Sequence, residues 1–72
     1  MKVTLNDLFN LVNEDTQIAI REFDDSFLFN GQVRERYNSP ALLNNRYRQV
    51  IGLSTEQDPV TNASMLKIIV AD

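Results

Sequence analysis

The sequence predicts a small single α+β domain over residues 1–72, in the order α-β-β-α-β-β. The expected architecture is an antiparallel sheet with an N-terminal helix on one face. Three observations point there. Apolar residues near the N-terminus recur at helical spacing. Four later runs alternate or are rich in β-branched and aromatic residues, as strands are. The segments between them are rich in Asn, Asp and Ser, which favour turns.

A helix is expected over residues 4–12. Thr4 can cap it, with Asp7 three residues on in the manner of a capping box. Leu5, Leu8, Phe9 and Val12 share one face, with Asn6 and Asp7 opposite. The polar residues 13–16 stop it. Residues 17–23 form the first strand, Ile18 and Ile20 facing one way and Gln17, Ala19 and Arg21 the other. Asp24-Asp25-Ser26 is a turn, and Phe27-Leu28-Phe29 a second strand that closes an antiparallel hairpin. Asn30-Gly31 would usually make a hairpin turn. Residues 32–36 do not alternate, so the pair is expected to end the strand instead.

Residues 32–37 fit a helical turn or an extended link. Ser39-Pro40 starts a short helix through Ala41, Leu42 and Leu43, with proline at the first helical position. Residues 47–54 form the third strand, with Tyr47, Gln49, Ile51 and Leu53 on one face. A polar loop, residues 55–64, is long for a hairpin. Residues 65–70 form the fourth strand, with Leu66, Ile68 and Val70 opposite Met65, Lys67 and Ile69.

Composition narrows function by exclusion. The chain has 72 residues and no Cys, His or Trp. A domain this size supplies a core margin of only about 3–5 kcal/mol. No disulfide or zinc staple can add to it. The chain is therefore a marginal monomer or shares its core with a partner, a homodimer being the simplest case. Without His there is no histidine general base, and without Cys no thiolate nucleophile. Gly31 and Gly52 lie too far apart for a phosphate-cradling loop. Asp24-Asp25-Ser26 lacks the spacing of a calcium loop. The expectation is a non-catalytic protein with no cofactor and no metal. The longest apolar run, Ile68-Ile69-Val70-Ala71, is far short of the roughly 20 residues of a membrane span. With no signal-like segment and no Cys, a cytoplasmic location is expected.

Three sets of residues are candidates for contacts. Glu14, Asp15, Glu22, Asp24 and Asp25 form an acidic edge within a chain of net charge −3. Such an edge could mimic phosphates, or simply keep the sheet from pairing further. Arg34, Arg36, Arg46 and Arg48, interleaved with Tyr37 and Tyr47, form a basic cluster. Arginine forks bind phosphates and tyrosines stack on bases. Alternatively these arginines pair with the acidic N-terminal half, and the acidic balance makes nucleic acid an unlikely partner. Phe23, Phe27, Phe29, Val50, Met65 and Ile69 form an apolar set. One short helix cannot cover both sheet faces, so this set could be a patch for a partner.

Several segments together carry a resemblance. They are the Leu5-x-x-Leu8-Phe9 helix, Glu14-Asp15-Thr16-Gln17-Ile18-Ala19-Ile20, Leu28-Phe29-Asn30-Gly31, Tyr47-Arg48-Gln49-Val50-Ile51-Gly52-Leu53 and Met65-Leu66-Lys67-Ile68-Ile69-Val70. The chain resembles a loose group of short proteins encoded by phages and mobile elements of Gram-positive bacteria. That resemblance implies a small accessory protein acting through contacts. It supplies no functional residues. The expected function is a non-catalytic protein of the bacterial cytoplasm that self-associates or binds a host protein through its second sheet face. One alternative is an inhibitor of a nucleic-acid enzyme or host defence system, anti-CRISPR-like, using the acidic edge. A second is a weak nucleic-acid binder using the arginines.

Overall fold

The computed structural model describes residues 2–71. Its elements are α1 (Leu5–Phe9), β1 (Gln17–Arg21), β2 (Phe27–Gln32), a 3₁₀ turn (Val33–Tyr37), α2 (Pro40–Asn45), β3 (Val50–Gln57) and β4 (Ser64–Val70). The fold is α+β, with a 3₁₀ turn added to the expected order.

The sheet order is β2-β1-β4-β3. β1 and β2 are antiparallel, as are β3 and β4. The two hairpins join through β1 and β4, which run parallel, Ile18 opposite Leu66 and Ile20 opposite Ile68. The sheet is therefore mixed, not antiparallel throughout. The cause is the link between hairpins. Parallel neighbours need a crossover connection, and the 3₁₀ turn and α2 carry the chain from one sheet edge to the other. The strands richest in Ile and Val then meet in the middle.

The capping box forms as expected. The Thr4 amide donates to Asp7 Oδ2 at 3.1 Å, and the Asp7 amide to Thr4 Oγ1 at 3.2 Å. The helix is shorter than expected, ending at Phe9 with Asn10 as its C-cap. The chain before and within α1 also pairs with the approach to β3. The Val50 amide donates to the Val3 carbonyl at 2.7 Å, and the Asn6 amide to the Arg46 carbonyl at 2.7 Å.

Several strand ends differ from expectation: β1 stops at Arg21, short of residue 23, and β3 starts at Val50, not at residue 47. β2 continues through Asn30-Gly31 to Gln32, Gly31 lying opposite Ile18. The glycine serves close approach rather than a turn, since the Phe29 ring and the Glu35 carboxylate sit over it. The hairpin turn is at residues 22–26, where Asp25 adopts φ 71° and Asp24 Oδ1 accepts from the Ser26 amide and hydroxyl. β3 runs on to Gln57, and the turn after it occupies residues 58–63. There Asp58 Oδ1 accepts from the Val60 and Thr61 amides at 2.8 and 3.2 Å. Such Asx turns let a polar side chain replace ladder bonds.

The core lies on one sheet face. Leu5, Leu8 and Phe9 from α1, Val33 from the 3₁₀ turn and Leu42 from α2 pack on Ile18, Ile20, Phe29, Ile68 and Val70. All three helical segments therefore cover the same face. Among the described residues no helix is long and apolar enough to cross a membrane.

Candidate interaction surfaces

The apolar set does not assemble into one patch. Phe29 and Met65 are buried, and Phe23 and Phe27 are exposed. Val50 packs partly buried against the core, and Ile69 is half-buried. A bulge explains the split of the phenylalanines. Ile20 pairs with Phe29 but Arg21 pairs with Phe27, which leaves Leu28 as the extra residue. The bulge lets Phe29 face the core while Phe27 lies with Arg21 on the other face.

That outer face is roofed by the chain's own side chains. Arg21 donates to Asn30 Oδ1 at 2.9 Å and to Glu56 Oε2 at 3.3 Å, spanning the sheet from β2 to β3. Its guanidinium lies 5.7 Å from the Phe27 ring centroid. Lys67 pairs with Asp25 at 3.2 Å. Ala19 and Met65, on this face, are buried. Long charged side chains can cover apolar surface while their heads stay wet, and that is how a sheet with one helical layer closes its second face.

The acidic edge and the basic cluster meet each other. Arg34 pairs with Asp15, and Arg36 with Glu14 at 3.6 Å. The Tyr37 hydroxyl also donates to Glu14, at 3.3 Å. Arg48 holds Glu22 with both terminal nitrogens, at 2.6 and 2.9 Å, and also donates to the Ala71 carbonyl. It thereby ties the end of β1 to the end of β4. Arg46 takes no carboxylate among the described residues. It stacks on Tyr47, 4.9 Å from the ring centroid.

These contacts set a pH dependence. The Arg48 guanidinium holds the Glu22 carboxyl below its ordinary value of 4.5. The Ser26 hydroxyl and amide hold Asp24 below 3.8. A depressed carboxylate stabilises the fold above its unfolded value, and that contribution is lost as pH falls through the folded value. The melting temperature should therefore hold steady from pH 7 down to 5 and fall below pH 4.5. Glu22→Gln should flatten that fall, measured by melts across the range. An equally steep fall in the variant would remove Glu22 from the cause.

A surface of which the sequence-based candidates included only Val50 lies along β3. Val3, Leu8, Val50, Ile51, Gly52 and Leu53 line a groove of about 300 Å³. Ile51 and Leu53 remain more than half exposed. Their alternation marks a strand, but their exposure depends on β3 being an edge. A second cavity, of about 270 Å³, lies between α1, the 3₁₀ turn and α2.

The fold and these surfaces define a small α+β domain with a mixed four-stranded sheet. Among its described residues no three His, Cys, Asp or Glu side chains converge as metal ligands. The chain matches no protein-family model, no curated protein and no solved structure.

Proposed function

We propose that this chain is a non-catalytic accessory protein that works by strand pairing at the β3 edge, with a second copy of itself as the partner. The observation that carries this is the free side of β3. The strand is paired to β4 along one side. On the other side, beyond the Thr4–Gln49 bridge, residues 51–57 have no strand partner among the described residues. An open edge is a row of unpaired amides and carbonyls, which proteins usually blunt with Lys, Pro or a covering segment. Val50–Gln57 contains neither Lys nor Pro. Its one charge, Glu56, is bound by Arg21.

A second copy suits this edge. Antiparallel pairing centred on Ser54 sets Leu53 against Thr55 and Glu56 against Gly52, so no like charges face each other. Residues opposite one another keep the same face, so the two cores would continue across the join. The groove of Val3, Ile51 and Leu53 would be covered at the same time. The small core adds to the case, since a chain of this size gains from sharing buried surface. The resemblance to short phage and mobile-element proteins supports an accessory role in a bacterial cytoplasm. The phosphate-mimic and nucleic-acid alternatives need free charges, and the ion pairs between the two clusters occupy most of them.

Sedimentation from micromolar to millimolar concentration tests this. Wild type should dimerise. Thr55→Pro removes an amide on the free side of β3, since Thr55 lies opposite Leu66, and Leu53→Lys places a charge in the seam. Each should weaken association by about tenfold or more, equivalent to about 1.4 kcal/mol, with the monomer still folded. A wild-type chain that stays monomeric at millimolar concentration overturns self-pairing.

A further inference from the structure

We infer that the turn after β3 sets the specificity of self-pairing: in the dimer proposed above, on which this inference rests, each copy seats Val60 in the apolar groove of the other. Val60 stands in that turn and is 91% exposed, more than any other large apolar side chain among the described residues. A single exposed valine is ordinary on a protein surface. This one is held in a fixed place. Asp58 Oδ1 accepts from the Val60 and Thr61 amides. The Asn62 amide donates to the Asp58 carbonyl, and the Asp58 amide to the Ala63 carbonyl, both at 2.8 Å. These bonds close the turn on itself, so its tip is ordered before any partner arrives and little entropy is lost on contact.

Strand register carries the tip to the groove. Pairing centred on Ser54 sets Gln57 of one copy opposite Ile51 of the other. Beyond Ile51 the edge is already taken, since the Val50 amide donates to the Val3 carbonyl at 2.7 Å and Thr4 bridges Gln49. The incoming chain therefore cannot follow the edge past Gln57, and its turn, residues 58–63, has to leave the sheet plane at that point. The groove opens there. Val3, Ile51 and Leu53 line it and are 41%, 53% and 55% exposed, so their side chains are open to contact. Leu53 lies opposite Ile68, a core residue, which places the groove on the core face of the sheet. That is the side on which Val60 gains apolar contact.

A two-fold axis makes the contact reciprocal, so each dimer buries two valines and covers two grooves. The groove of either copy is complete only when the other copy supplies its turn. Strand pairing alone supplies main-chain bonds that any extended segment can make, whereas a side chain in a pocket distinguishes one partner from another. Val60 is no part of the monomer core, so its loss is read in association and not in folding.

The test is sedimentation of the full chain carrying Val60→Asp beside wild type. The dissociation constant should rise about tenfold or more, since the lost burial counts twice in each dimer. The melting temperature of the dilute monomer should not move. The chain has no Cys, so introduced thiols report the contact directly. When Val60→Cys and Val3→Cys chains are mixed and mildly oxidised, the mixed disulfide should exceed either self-linked one, because only it joins groups brought within bonding range. A Val60→Asp chain that dimerises as wild type does, or self-linked disulfides in excess of the mixed one, overturns the turn-to-groove contact and leaves strand pairing standing. A wild-type chain that stays monomeric at millimolar concentration overturns both.

Discussion

Phe9→Ala is expected to leave most of the chain unfolded. Phe9 is 2% exposed and is among the largest fully buried side chains of the core. It joins α1 to the sheet, alongside Leu5 and Leu8. Truncating a buried phenylalanine to alanine costs about 3–5 kcal/mol, from lost transfer free energy and the cavity left behind. A core of this size supplies a margin of about 3–5 kcal/mol in total. The loss therefore consumes the whole margin, whereas the same change in a larger domain would only lower its melting point. Far-UV circular dichroism with a urea titration reads the result. A variant with a native-like spectrum and a midpoint near wild type would show that α1 contributes little to the core.

Gly31→Ala is expected to destabilise the protein by about 1–3 kcal/mol, the usual cost of overpacking. The sign is the informative part. At a compatible site the same change stabilises by about 0.4–1 kcal/mol, because alanine restricts the unfolded chain. Gly31 has no positive φ to require glycine, so backbone conformation predicts the stabilising outcome. Packing predicts the opposite. A Cβ there would stand 2.8 Å from Phe29 Cζ and closer still to the Glu35 carboxylate. Neither neighbour yields easily. The Phe29 ring belongs to the core, and Glu35 Oε2 accepts from the Gln32 amide at 2.8 Å. Adding Glu35→Ala should recover part of the loss by removing one of the two obstacles. A melting temperature for Gly31→Ala at or above wild type would mean that the ring and carboxylate shift freely.

Local features of this protein were legible in its sequence because their causes are local. The Thr4–Asp7 box, the Leu5, Leu8 and Phe9 face, the Pro40 start of α2 and the Ile18 and Ile20 face each depend on residues a few positions apart. Asn30-Gly31 misled as a strand end, because the use of glycine as a strand breaker is also a local rule. Here Gly31 answers to Phe29 and to Glu35 across the start of the 3₁₀ turn. The phenylalanines were ambiguous for a related reason. Alternation has period two, and a single bulged residue, Leu28, resets it.

The candidate sites were less legible, since each rests on a meeting of distant segments. The acidic and basic clusters stand out as separate runs in the chain. Only the fold brings Glu22 to Arg48 and Glu14 to Arg36, turning two candidate surfaces into one set of ion pairs. Arg46 is an arginine like its three neighbours in the cluster; its place beside α1 leaves it without a carboxylate among the described residues.

The sequence by itself determined the α+β class, most element positions, the capping and the apolar faces, because helix and strand periods are set by backbone geometry. The tertiary structure alone decided that β1 and β4 run parallel, that β3 is an edge and that the outer sheet face is roofed by Arg21, Glu56 and Lys67. Those outcomes follow from how a 72-residue chain buries its most apolar strands centrally. No local pattern records which strand is then left at the rim.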